Sequence, residues 1–160
     1  MKNQRFVVFL YVDGVLNSRT TVQKTPDGYQ GIDDARVELL SNVMHMMGAG
    51  DIVFSSDWKD LKPTADDYVY LVSKLEKYGL MISEKTEGRY YDRGAGIAKY
   101  LKNHPEIEEY VILDDNEFDF RQYPKIWERL LLTNGIERAQ FAAKTPATET
   151  ILFMEYIKEF

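Results

Sequence analysis

The sequence predicts an α/β protein: a three-layer, doubly wound, mostly parallel sheet of five strands with helices on both faces. Three observations predict it. Short, continuously apolar runs alternate along the chain with longer segments of helical periodicity. The runs are rich in Val, Ile, Leu and Phe, as strands covered on both faces are. Polar residues capable of chemistry gather just after several of the runs, where open α/β sheets place their ligand crevice.

Residues 6–12 form the first apolar run and are read as a central strand. The basic stretch Met1 to Arg5 ahead of it gives the outline of a signal peptide, but Asp13 ends the run early and no small-residue cleavage site follows. Residues 18–31 are polar, with Pro26, Asp27 and Gly28 marking a turn, so a loop or small hairpin flap is expected. Asp33 is placed to cap a helix in which Val37, Leu40, Val43, Met44 and Met47 recur at helical spacing, and Gly48 and Gly50 stop it. Residues 51–54 are the second strand. Pro63 and Thr64 open a helix with Tyr68, Leu71, Val72, Leu75 and Tyr78 on one face, closed by Gly79. Residues 80–83 are the third strand. Asp92 caps a helix running to Asn103, which buries Ile97, Tyr100 and Leu101 and is ended by Pro105. Residues 110–113 and 129–133 are the fourth and fifth strands. Thr145 and Pro146 start a last helix that packs Leu152, Phe153, Tyr156, Ile157 and Phe160.

The 160 residues fit one domain, and 44% hydrophobic with 29% charged residues is an ordinary globular balance. Twenty basic against twenty-six acidic residues give a net charge of −6, which repels polyanions and argues against general nucleic-acid binding. The absence of cysteine removes disulfides, thiolate zinc sites and a cysteine nucleophile together. His45 on the Met-rich helix and His104 before Pro105 are read as packing and surface residues. No run approaches the ~20 apolar residues of a membrane helix, so a cytoplasmic protein without membrane contact is expected.

Three strand ends carry the candidate chemistry: Asp13-Gly14, Ser55-Ser56-Asp57 and Asp114-Asp115. Adjacent carboxylates leaving a buried strand repel one another, and a hard cation such as Mg²⁺ with oxygen ligands relieves that cost. For Asp57 a loop cap is as good a reading as a site role.

Taken together, residues 9–17, F-L-Y-V-D-G-V-L-N, resemble the first motif of the haloacid dehalogenase (HAD) superfamily, an apolar strand followed by D-x-D-G-V-L-N, with Tyr11 in place of the first aspartate. Residues 52–56 are similar to the second motif, and residues 111–115 with Asp119 to the fourth. D-G-V-L-N, S-S-x-W followed by Lys59, and the acidic pair resemble most closely the HAD domain of Swiss Army Knife RNA repair proteins. The resemblance implies a Mg²⁺-dependent phosphatase fold. Asp13 would be the acid/base and a metal ligand, with Asp114, Asp115 and Asp119 as further ligands. Ser55 or Ser56, Gly14 and Lys59 would hold the phosphate. Arg93 is the choice for the third-motif cation, with Lys85 and Arg89 as rivals. The position of Tyr11 is that of the nucleophile, and a phenol of pKa about 10 stays protonated at neutral pH where a carboxylate is ionised.

The expected function is a phosphatase-type domain impaired in catalysis, retaining a phosphate and magnesium cleft. The alternatives are hydrolysis that uses Tyr11 or activated water, and a non-enzymatic binding or signalling module; a receiver-like module ranks lower because its acidic pair belongs after the first strand. No insertion is large enough for a full cap domain, and by the same resemblance an uncapped site takes larger substrates. The expected partner is a phosphorylated small molecule or the phosphorylated end of a macromolecule.

Overall fold

The computed structural model describes residues 5–89 and 91–160. The start of the chain weighed above as a signal peptide lies, for its first four residues, outside the described residues. The elements are β1 (Arg5–Leu10), α1 (Asp34–Met47), β2 (Asp51–Phe54), α2 (Asp66–Lys77), β3 (Ile82–Lys85), α3 (Arg93–Asn103), β4 (Ile107–Asp114), α4 (Pro124–Trp127), β5 (Leu130–Thr133), β6 (Ala139–Phe141) and α5 (Thr148–Glu159).

The sheet order is β3-β2-β1-β4-β5-β6, parallel except for β6. Six strands replace the five expected from sequence. β6 is only three residues long, runs antiparallel at the edge beside β5, and is at most half-buried, so it leaves no apolar run to read. From β1 the chain moves outward to β2 and β3, then returns to lay β4 on the other side of β1. The strand order therefore reverses between β1 and β4, the position at which such sheets open a crevice.

Side chains alternate across the sheet. Val8 and Leu10 of β1 join Ile52, Phe54, Val111, Leu113 and Leu131 against Val37 and Leu40 of α1, Leu71 and Leu75 of α2, and Phe153 and Ile157 of α5. Val7 and Phe9 join Val53, Ile112 and Leu130 against Ile97 and Tyr100 of α3, Phe120 and Ile126. Period two on one strand thus feeds two cores, which makes the three layers. Val7 to Leu10 are completely buried.

Several sequence signals act as expected and others are diverted. Gly48 ends α1 in the left-handed conformation at φ 68°, and the Asp92 side chain caps α3 by accepting from the Ala95 amide at 3.4 Å. Asp33 stands at the start of α1 but does not cap it, because its carboxylate accepts from Thr21 Oγ1 at 2.7 Å and Arg36 Nη1 at 2.6 Å. α2 and α5 begin two or three residues later than their prolines suggest. The 18–31 segment is a flap closed by one antiparallel bridge between Lys24 and Gln30. Among the described residues no helix is long and apolar enough to cross a membrane.

Candidate functional site

Register builds the site. Leu10 pairs with Phe54 on one side and with Leu113 on the other, so the next residues, Tyr11, Ser55 and Asp114, leave one level of the sheet side by side. The Tyr11 amide donates to Leu113 O at 3.0 Å and the Ser55 amide to Leu10 O at 3.1 Å, which holds the three ends together past the last paired rung.

Asp114 is fully buried. Its Oδ1 accepts from Arg93 Nη2 at 2.9 Å and from the Asn116 amide at 3.0 Å, and Arg93 Nε lies 2.8 Å from Oδ2. One charge-assisted hydrogen bond and one close approach offset the desolvation of the pair in part. Arg93 is brought there as the first residue of α3. The turn after it is pressed against the 119–123 segment: a Cβ on Gly94 would stand 2.1 Å from Asp119 O, so only glycine lets the helix start approach this closely. Asp119 Oδ2 is 3.7 Å from Arg93 Nε. The guanidinium carbon also lies 4.0 Å from the centroid of the Tyr11 ring, a cation–π contact.

Burial pushes the Asp114 carboxyl up to about 8, against the pull of Arg93. Asp115 is more open, yet partial desolvation raises its carboxyl too, with the charge of Asp13 adding to the effect. The Tyr11 phenol is held above its ordinary value, first by burial and next by the charge of Asp57, with Arg93 pulling the other way. Among the described residues no side chain is hydrogen-bonded to the Tyr11 hydroxyl.

Asp13 is held differently. Asn17 Nδ2 donates to its Oδ1 at 3.1 Å, and Trp58 Nε1 donates to its Oδ2 at 3.1 Å. Asn17 also ties down the turn, donating to Gly31 O at 2.9 Å and accepting the Gly14 amide at 2.9 Å. Gly14 has φ 80°, and a Cβ there would stand 2.5 Å from Asp115 Cβ, so the turn needs glycine for both conformation and space. From the far side, Thr133 Oγ1 and the Gly135 amide both donate to Gly14 O at 2.6 Å.

Of the two serines, Ser56 is engaged: its Oγ accepts from the Trp58 amide and donates to Asp57 Oδ1, both at 3.2 Å. It thereby starts the short 3₁₀ turn Asp57–Asp60. Ser55 is buried and its Oγ has no partner among the described residues, so its hydroxyl is the one at liberty. The Gly14 amide is already taken by Asn17. Lys59 is turned toward β3, where its Nζ donates to Thr86 O at 2.9 Å and Thr86 Oγ1 at 3.1 Å, and burial lowers its pKa. Lys85 Nζ donates to Lys59 O and lies over the Tyr68 ring, and Arg89 lies over Tyr91. Of the three cations weighed for the third motif, Arg93 is the one in contact with both Asp114 and Tyr11.

The structure therefore groups Tyr11, Asp114, Arg93 and Asp119 on one side, Asp13 and Gly14 on the other with Asp115 against Gly14, and Ser55 at the same level of the sheet. Trp58 as a donor to Asp13 was not read from the sequence; a tryptophan forty-five residues away carries no spacing signal. Asn17 stood inside the first motif, four residues after Asp13, but its bridging role is visible only in the turn.

A doubly wound sheet with acidic residues, a buried strand-end serine and a cation converging at its switch point defines a domain of the HAD type, with no large cap. More narrowly, the chain belongs to the family described as the HAD domain in Swiss Army Knife RNA repair proteins, whose family model matches residues 7–140. That span contains every site residue named above. No curated protein and no solved structure matches the chain.

HAD domains generally use Mg²⁺, and the donor set here fits that ion poorly. Both Asp114 oxygens face the Arg93 guanidinium, position 11 offers a phenol in place of a carboxylate, and among the described residues no group of three or more acidic or histidine side chains is disposed to hold a metal. Asp13 and Asp115 are the carboxylates left with open directions.

Proposed function

We propose that this HAD domain binds a single phosphate group at the carboxyl ends of β1, β2 and β4 without hydrolysing it through an aspartyl phosphate, Tyr11 standing where the attacking carboxylate belongs. The observation that carries this reading is the stack of Arg93 on Tyr11 with its simultaneous grip on Asp114. A buried acid holds Arg93 at the strand ends as a cation for a phosphate, and the group stacked on it is a neutral phenol where the attacking carboxylate belongs. The raised phenol speaks against Tyr11 as a nucleophile, since attack needs the phenolate. Asp13 keeps an acid/base position with no attacking group beside it. Ser55 supplies the free hydroxyl, and Mg²⁺ binds weakly at most, through Asp13 and Asp115. The ligand is a phosphorylated small molecule or the phosphorylated end of a macromolecule, consistent with the RNA repair proteins in the family's description.

Phosphate release from p-nitrophenyl phosphate, with and without Mg²⁺, tests the proposal on the protein and on its Tyr11→Asp variant. Turnover is expected only in the variant and only with Mg²⁺. Mg²⁺-dependent turnover by the unaltered protein, abolished by Asp13→Ala, would overturn the proposal.

A further inference from the structure

Beside Asp13, away from Arg93, a cavity of about 440 Å³ opens between the flap and the 3₁₀ turn. It is lined by the aromatic residues Tyr29 and Trp58, by Leu61, and by the acidic residues Asp13, Asp57 and Asp67. Its size falls in the range of small-molecule sites. A larger hollow of about 650 Å³ by α1, near Arg36 and Glu137, shares no residue with the crevice.

The chemistry of the smaller cavity is one-sided. Tyr29 is 70% exposed, a large ring left in water on a flap held by the bonds from the Thr25 amide to Tyr29 O and from the Gly31 amide to Gln23 O. The indole N–H of Trp58 is spent on Asp13, so what Trp58 brings to the cavity is its ring. Gln30 completes the lining, and its amide already donates to Ser18 O. Three carboxylates and no Lys or Arg line the space, so it repels a second phosphate or a carboxylate and offers acceptors to N–H and O–H donors. Two aromatic residues in the lining favour a group that can stack. A nucleobase is flat, uncharged and bears N–H donors.

We infer that this cavity is a nucleoside-binding subsite, taking the base end of a nucleoside monophosphate whose lone phosphate sits at the strand ends. The inference rests on the phosphate reading above and narrows it to esters without further negative charge on the Asp13 side. Anionic tails are turned away there by Asp13, Asp57 and Asp67.

Calorimetric titration of the full chain with adenosine 5′-monophosphate, ribose 5-phosphate and adenosine tests it, alongside Trp58 fluorescence and the variant Tyr29→Ala. The nucleotide is expected to bind roughly tenfold or more tighter than ribose 5-phosphate, within the range that stacking on one aromatic gives. It is also expected to quench Trp58. Tyr29→Ala is expected to weaken the nucleotide about tenfold by the same stacking term and leave ribose 5-phosphate unchanged. Equal binding of the two phosphates, or equal weakening of both by Tyr29→Ala, overturns the subsite while leaving the phosphate reading intact. Adenosine binding as tightly as its monophosphate overturns the phosphate reading and leaves the subsite. Failure of all three to bind overturns both.

Discussion

On the α3 side of the crevice, a guanidinium answers a completely buried carboxylate and lies flat on a phenol ring; on the flap side, the carboxylate of Asp13 is answered by neutral N–H groups from Asn17 and Trp58. Both are strand-end aspartates of neighbouring strands. Burial separates them. Asp114 has no access to water, so its charge is costly even beside Arg93, and the guanidinium next to it offsets that cost in part. Asp13 stays partly open, so two dipolar donors suffice to fix its direction and its charge still faces outward. One side is organised around a guanidinium and the other around neutral donors.

The largest expected effect breaks the guanidinium side. Arg93→Ala leaves the Asp114 carboxyl without its partner in a dry site, and a loss of up to about 3–5 kcal/mol is expected in urea unfolding above about pH 8, where the carboxyl of the unaltered protein is ionised. A loss below about 1 kcal/mol would show that Asp114 does not depend on its partner.

Next in size is the turn that carries Asp13. Gly14→Ala combines a left-handed φ with a contact 2.5 Å from Asp115 Cβ, and a loss of about 1–3 kcal/mol is expected. Gly28→Ala serves as its comparator: φ is 90° but nothing lies within 4 Å, so only the conformational cost of about 1 kcal/mol remains. Equal losses in thermal denaturation would deny that Asp115 crowds Gly14.

The pH dependence sharpens the same contrast. The folded Asp114 carboxyl titrates above its ordinary 3.8, near 8, so the folded state binds the proton more tightly than the unfolded chain. Its contribution to stability is fully present below about 3.8 and is lost as pH rises toward about 8. Asp114→Asn, neutral throughout, is expected to lose less stability than the unaltered protein over that interval. Parallel stability curves for the two proteins would place the titration elsewhere.

The smallest expected effect concerns Lys59. Lys59→Met removes hydrogen bonds to Thr86 and is expected to cost about 1 kcal/mol, with affinity for inorganic phosphate unchanged. A tenfold drop in that affinity would mean the ammonium swings into the crevice.

Much of this was legible in the residues. The apolar runs of β1, β2 and β4 mark strands because they are short, β-branched and bounded by polar turn residues, as strands covered on both faces are. Asp92 and Gly48 mark helix ends through local backbone chemistry. The 139–141 strand escaped because an edge strand of three half-exposed residues has neither length nor periodicity. Asp33 escaped because its carboxylate was drawn to Thr21 and Arg36, partners that the helix-start pattern does not contain.

Local order along the chain was enough to put particular residues at the strand ends, Tyr at position 11 before Asp13, and Arg93 at a helix start. Tertiary structure alone decided that Arg93 is committed to Asp114 and Tyr11, that Lys59 turns away to Thr86, and that Trp58 reaches Asp13. Those outcomes depend on register and on how much water each group retains, and both are set by strands and helices that meet from distant parts of the chain.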